Sequence, residues 1–305
     1  MSNHGRQLRH SMLERFSLSP EEYLDRHHVL TYLEDAVTQL LEFKEDQPKV
    51  DPAIFLQEYF TSILNGSHVL YREYDYIRST PHNRASFVRL FWRCFSYIGK
   101  QGDLLTVREY HSLLNLLCPD FPLEPVHRTA RIIFLEDAMD SLTSFADFLF
   151  AFQLQFYYEE FLQRCLDIYE RQISAAQSPR EAVYIPSETS PRQQQKKPPQ
   201  AAADHPPPDS VDTRHFLDAI AKECQRAKYS YPAVSDLGVP LDGCARTSFY
   251  GFLVALSKSE AINGGIGMLP SKSSLYDDEA SSSPAGERRG KRVPSLKPSV
   301  SSAAS

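Results

Sequence analysis

The stretch TSFADFLFAF at residues 143–152 returns, nearly copied, as TSFYGFLVAL at residues 247–256. In each copy a serine stands where an N-cap belongs, and the run behind it is apolar at almost every position. A helix without a polar face has to be enclosed on all sides, so the first copy demands a bundle around it. The second copy predicts a late segment that returns to complete that bundle. From Phe145 to Phe161 the first run continues through Phe148, Phe150, Phe152, Phe156, Tyr157 and Tyr158. Such aromatic density suits either a central core helix or a face offered to a partner. Phe150, Tyr157 and Tyr158 are the candidates for the second role.

Helical periodicity recurs upstream. Val29, Leu33, Ala36, Val37, Leu40 and Leu41 fall at i, i+4, i+7, i+8, i+11 and i+12, one stripe of a 3.6-residue helix. Asp51 followed by Pro52 is a start signal, and Ile54, Phe55, Tyr59, Phe60, Ile63 and Leu64 form a second stripe that stops at Asn65-Gly66. Residues 20–66 therefore read as a helical hairpin. Its layout is similar to the dimerisation-and-docking fold of protein kinase A regulatory subunits. Val29, Leu33, Leu40, Phe55 and Tyr59 are its candidate partner-binding residues.

Residues 67–173 carry two helix–loop–helix outlines. Arg84 to Ile98 is strongly apolar, GKQGD interrupts it, and Thr106-x-x-Glu109 is a capping box that opens the next helix. Glu124 to Glu136 is followed by DAMDS, and Ser144-x-x-Asp147 opens a helix expected to run to Ile173. This is the outline of an EF-hand pair, which needs oxygen ligands at loop positions 1, 3, 5 and 12. With Glu109 at position 12 the early positions fall on Ile98, Lys100 and Gly102; with Asp147 there, on Glu136, Ala138 and Asp140. The first set cannot hold calcium and the second is incomplete, so the pair reads as a degenerate, packing version. A calcium- or ligand-sensing module is the alternative reading.

Composition changes at Ser174. Residues 174–210 are rich in proline, glutamine and charge with little to bury, the signature of a disordered linker; residues 1–19 and 259–305 read as disordered tails, the latter ending in a Ser/Pro/basic run around Arg288–Arg292. Residues 211–258 predict a C-terminal helical hairpin, built on Phe216, Leu217, Ile220 and the second copy of the repeated motif. Two short helices cannot enclose a core alone, so this hairpin is expected to pack back on the main domain. The fold class is all-α.

Several functions are excluded or disfavoured. A net charge of −6, from 33 Lys and Arg against 39 Asp and Glu, gives no field that draws the chain to nucleic acid or to an anionic membrane. No run of 18 apolar residues is present to span a bilayer, and no apolar leader opens the chain. Five isolated cysteines without C-x-x-C suit reduced core thiols. His27 and His28 are adjacent and project about 100° apart on a helix, whereas metal-binding pairs need i, i+4. Nucleotide-binding glycine motifs, nucleophile elbows and kinase signatures are missing. No catalytic residue, metal or cofactor is expected.

Several rarer strings, in order, carry a resemblance: RHHVLTYLEDAVTQLL from Arg26, TPHN from Thr80, FWRCF from Phe91, GDLL from Gly102, LLCPDFPL from Leu116, FLFAFQLQFYY from Phe148 and FYGFLVALSK from Phe249. Together they span about residues 22–270, and the chain resembles the centriolar satellite-associated tubulin polyglutamylase complex regulator family. The resemblance implies a non-catalytic subunit that assembles and stabilises the enzyme complex adding glutamate chains to tubulin. The implied partners are the tubulin-tyrosine-ligase-like glutamylase with its accessory subunits and a centriolar satellite scaffold protein, with microtubules met indirectly. The implied location is the cytoplasm and cytoskeleton, at the centrosome, its satellites and the cilium base.

Overall fold

Pro20, Pro52 and Pro81 each stand in the first turn of a helix behind a capping side chain, Ser19, Asp51 and Thr80, and these starts fix the N-terminal third. The structure, a computed structural model, describes residues 18–134, 138–177, 209–267 and 269–270. Among the described residues it contains thirteen α-helices and two two-stranded ladders, so the chain is all-α. Residues 1–17 of the expected tail 1–19, most of the expected linker and the basic run near Arg288 lie outside the described residues, while Ser19 of that tail caps α1.

Three helices open the chain: α1 (Pro20–Arg26), α2 (Val29–Asp46) and α3 (Pro52–Asn65). Gly66 ends α3 with φ +71°, a conformation in which a side chain is strained, and an added Cβ there would sit 3.2 Å from Ser86 Oγ. The short α4 (Tyr74–Arg78) then leads to α5 (Pro81–Gln101).

The next elements form a pair. β1 (Leu104–Thr106) runs into α6 (Val107–Asn115), and α7 (Leu123–Phe134) leads to β2 (Leu142–Ser144) and α8 (Phe145–Tyr157). The strands join antiparallel, Leu105 opposite Thr143, so the two capped helix starts lie side by side. The arrangement is then repeated. After α9 (Glu159–Gln177), β3 (Val211–Asp212) runs into α10 (Thr213–Cys224); α11 (Val234–Gly238) leads through a 3-10 turn and β4 (Arg246–Thr247) to α12 (Phe249–Lys258). Val211 pairs with Thr247. The two copies of the repeated motif are thus structurally equivalent: each supplies the second strand and the last helix of a strand-linked pair.

Three expectations need correction. The helix from Ser144 does not run unbroken to Ile173; the chain kinks at Tyr158 (φ −102°, ψ 29°), which redirects α9 towards a second core. The C-terminal tail does not start at residue 259 either, because α13 (Glu260–Ile266) follows α12 at once and buries Ile262 and Ile266. Likewise, residues 174–177, placed in the expected linker, close α9.

Two cores result, and α8 serves both. Phe148, Phe152 and Phe156 stack along one side at 5.7 and 5.3 Å between ring centroids, meeting Phe91 of α5, Tyr110 of α6 and Phe121. Ala151, Leu154 and Tyr158 line the other core with Phe161 and Cys165 of α9, Phe216 of α10 and Phe252 of α12. Every residue from Phe145 to Phe156 except the half-buried Asp147 is buried. With each buried Phe contributing about 2–3 kcal/mol, the enclosed helix is the main source of cohesion. α12 packs on α7 and α8. Gln153, fully buried in α8, donates to Asn263 of α13 at 3.0 Å, and Asn263 donates in turn to the carbonyls of Ser257 and Ser259. This amide pair, in which Asn263 uses both its oxygen and its amide group, ties the C-terminal helices to α8.

Candidate functional site

The two loops that could have held calcium are built for packing. α5 extends to Gln101, so Ile98 and Lys100 are helical and no open loop precedes β1. Glu109, in the ligand position, is used up in its capping box: its Oε2 accepts from Thr106 N at 2.7 Å and Thr106 Oγ1 at 2.8 Å. Asp147 accepts from Ser144 Oγ at 2.9 Å, and Asp140 accepts from Arg108 Nε at 2.8 Å. In the second pair the matching positions hold His215 and Gly251, one an imidazole in place of a carboxylate and the other without a side chain. Among the described residues no three of His, Cys, Asp and Glu are grouped as a metal site. A cleft of about 500 Å³ between α9 and α10 is lined by Arg171, His215, Lys222, Glu223 and Arg226 and opens widely to solvent. It shows no nucleophile with an adjacent base.

The unusual surface is the N-terminal hairpin. α2 and α3 close on each other through Phe43 and Phe55, whose rings lie 5.7 Å apart, and through Tyr59. Ala36 is fully buried where α2 meets the body. What holds the hairpin to the body is mainly polar. Asp35 of α2 takes two hydrogen bonds from Arg72, at 3.0 and 2.6 Å, one from Tyr59 at 2.6 Å and one from Gln39 at 2.7 Å. The Arg72 guanidinium lies 3.7 Å over the Tyr76 ring. Beside this group, Tyr32 donates to Asn83 Oδ1 at 2.8 Å and is bonded to Thr80 Oγ1 at 2.8 Å, and His68 Nε2 meets the same Asn83 oxygen at 2.9 Å.

The network sets the charge states. Burial pushes the Asp35 carboxyl up, but Arg72 and Tyr59 more than offset this and hold it below the ordinary aspartate range. Burial raises Tyr59 far above the usual tyrosine value, and pushes Tyr76 up to about 12. Burial lowers His68, so it is neutral here and donates through Nε2 to Asn83. A bidentate, half-enclosed ion pair of this kind fixes one orientation of the hairpin on the body.

On its outer side α2 is bare. Leu30, Leu33, Val37 and Leu41, at i, i+3, i+7 and i+11, are 51%, 44%, 52% and 59% exposed, and on α3 Ile54, Phe60 and Leu64 are also open. A stripe of branched aliphatics left this open along three turns is costly in water unless something covers it.

The candidates named from sequence divide accordingly. Leu33 lies on the open stripe; Val29 and Leu40 are half-buried on α2, and Phe55 is half-buried against Phe43. Tyr59 is buried against Asp35 and Tyr76, a latch residue and not a groove lining. Phe150 and Tyr158 are buried to 2% and 3% and belong to the core, so no partner reaches them in this packing; Tyr157 is half-buried beside them. Sequence reasoning missed Leu30, and it took Val37 and Leu41 as ordinary stripe residues. It also missed the latch of Asp35, Arg72 and Tyr76, which no motif in the sequence marks.

Residues 17–66, the hairpin, match the family described as the CSTPP1 N-terminal domain. Over 267 residues the chain is 50% identical to a Bos taurus protein and 49% to one from Rattus norvegicus, covering 88% of this chain and 80% and 79% of theirs. A Danio rerio relative is 48% identical over 265 residues, 87% of this chain and 78% of its own length. All three carry the name centriolar satellite-associated tubulin polyglutamylase complex regulator 1. No solved structure matches the chain. Identity of this level over most of both lengths assigns the chain plainly: it belongs to the centriolar satellite-associated tubulin polyglutamylase complex regulator family.

Proposed function

We propose that this protein is a non-catalytic regulatory subunit of the tubulin polyglutamylase complex, resident at centriolar satellites. Its role is to assemble and stabilise that complex, and through it to set microtubule polyglutamylation at the centrosome and cilium. The observation that carries this reading is 47–50% identity, over 87–88% of the chain, to regulators named for that complex. Two structural features support it. The two cores are filled by aromatic side chains where an enzyme would keep a polar cavity, and the exposed apolar stripe on α2 is a place for a subunit to dock. The partners are the glutamylase and its accessory subunits together with a satellite scaffold. The division into a docking hairpin and a strand-linked helical body is part of the same proposal.

The test is affinity purification of the tagged full chain from ciliated cells at physiological salt, with mass spectrometry of the recovered proteins. Near-stoichiometric recovery of the glutamylase subunits is the expected result. Their absence from a folded, well-expressed bait would overturn the reading.

A further inference from the structure

The charge around the open stripe of α2 says what kind of surface covers it. At 100° per residue, Leu30, Leu33, Val37 and Leu41 occupy an arc of about 80°. The arc next to Leu30 and Leu41 holds Glu34, Glu42 and Glu45, all exposed. Away from the stripe, Phe43 packs on Phe55 of α3, and Asp35 and Tyr32 point the remaining face at the body. The only cation on the stripe side of α2 is Lys44. Across residues 20–66 there are ten carboxylates against three cations, an acidic excess confined to the hairpin and larger than the net charge of the whole chain.

An apolar stripe with an acidic edge selects its occupant. A second copy of the chain would bring the same carboxylate-rich surface, and like charges at the edge of an apolar contact disfavour that pairing. An element with apolar residues repeating every three to four positions and Lys or Arg beside them would bury the stripe and neutralise its edge together. About 17 Å separates Leu30 from Leu41 along the helix, the length of three turns in an occupant. We infer that the α2 face of the hairpin is the docking site for a basic amphipathic helix of a partner protein, seated on Leu30, Leu33, Val37 and Leu41 with its cations against Glu34, Glu42 and Glu45. This rests on the adaptor reading above and names the chemistry of the partner that the reading requires. The polar latch to the body has a place in this mechanism, because Asp35, Arg72 and Tyr59 hold the open stripe outward and keep it from collapsing onto the body.

The test uses the full chain and two fluorescent 18-residue peptide helices. They share the same leucine stripe, and one is flanked by Lys and Arg while the other is flanked by Glu. Fluorescence anisotropy is expected to show binding of the basic peptide at least tenfold tighter than of the acidic one, with the difference shrinking as salt rises. Val37→Gln with Leu41→Gln should weaken the basic peptide at least tenfold while leaving the thermal midpoint in place. Glu34→Lys, Glu42→Lys and Glu45→Lys together should reverse the preference.

Equal binding of both peptides, no binding of either, or binding that survives the Val37→Gln, Leu41→Gln change would overturn the inference. A doubling of mass by light scattering that the same two changes abolish would assign the face to a second copy, and overturn it too. So would basic-peptide binding that appears only after residues 1–17 are deleted, since the chain's own N-terminus would then be the occupant. The two glutamines are also placed in the affinity-purification bait. If the wild-type chain recovers the glutamylase subunits and the variant recovers them equally, this inference fails while the proposed function stands. If the wild-type chain recovers none, the proposed function fails, and the peptide titration still decides the inference.

Discussion

The hairpin of α2 and α3 and the helix α8 are both richer in apolar side chains than a one-sided helix needs, yet the molecule uses them in opposite ways. α8 is sealed on every side, by α5, α6 and α7 on one flank and by α9, α12 and α13 on the other. The hairpin is pinned to the body by an ion pair, tyrosines and an asparagine, and turns its aliphatic stripe outward. Apolar excess alone therefore does not mark a docking surface. What separates the two is the chemistry of their contacts with the body: α8 meets it through aromatic rings, and the hairpin meets it through hydrogen bonds.

Substitution in α8 should break the comparison most violently. Phe152→Ala removes a fully buried ring that touches Phe91, Phe121, Phe148 and Phe156, and should cost about 3–5 kcal/mol. Chemical denaturation followed by circular dichroism reads this as a lower midpoint for the whole helical signal. A midpoint within error of the parent would mean that the first core is not the cohesive centre described.

A smaller effect, confined to one region, is expected at the latch. Asp35→Asn keeps the shape but leaves Arg72 with only the exposed Glu73 carboxylate beside it, and should cost about 2–3 kcal/mol in local stability of the hairpin. Hydrogen exchange is the appropriate measurement: amides of α2 and α3 should exchange faster while those of α8 keep their protection. If both regions loosen together, the hairpin is an integral part of the body and the contrast drawn above is false.

Acid should open the same latch in two steps. His68 is neutral in the fold with its affinity for protons lowered by burial, so its contribution is complete above 6.5 and is lost as pH falls from there towards its depressed folded value. Asp35 also has a lowered folded value, so its contribution is present above 3.8 and disappears only as pH falls further, through that folded value. Exchange protection of α2 followed from pH 8 to pH 3 should therefore fall first below 6.5 and again below 3.8. Asp35→Asn should remove the second fall and keep the first.

How much of this could be read from the chain depends on the kind of contact. Caps and stripes are local, so α2, α3, the Thr106–Glu109 box and the Ser144 cap were legible, as was the need to enclose α8. The kink at Tyr158 has no local signal, and at Glu260–Ile266 the Ser259 cap and the left-handed Gly267 frame an interior that argues against a helix. α13 contains Asn263, Gly264 and Gly265, poor helix formers, and is held by Ile262, Ile266 and the amide bond to Gln153 across 110 residues. The latch was hidden for the same reason: Asp35 and Arg72 are 37 residues apart, and only the folded chain brings them together. The open stripe had a weak signal in the excess of Glu34, Glu42 and Glu45 on one side of an otherwise ordinary amphipathic helix. The same residues read equally well as a solvated face.

The smallest effect on stability is the most informative about that stripe. Leu30→Gln, Val37→Gln and Leu41→Gln each replace a side chain that is already half in water, so little transfer free energy is lost on folding. Glutamine is as good a helix former as leucine and better than valine; Val37 and Leu41 lie in the interior of α2 and Leu30 in its first turn, where His28 makes no side-chain cap bond to lose. Each change should thus stay within about 0.5 kcal/mol of the parent, and Val37→Gln should be neutral or slightly stabilising. The measurement is the thermal midpoint of the triple variant beside that of Phe152→Ala under the same conditions. A body held together by buried rings and a hairpin with a bare outer face require the triple change to be nearly silent and the single core change to be severe. If the triple variant melted as early as Phe152→Ala, those leucines and Val37 would already be covered in the free chain, and α2 would belong to the enclosed class with α8.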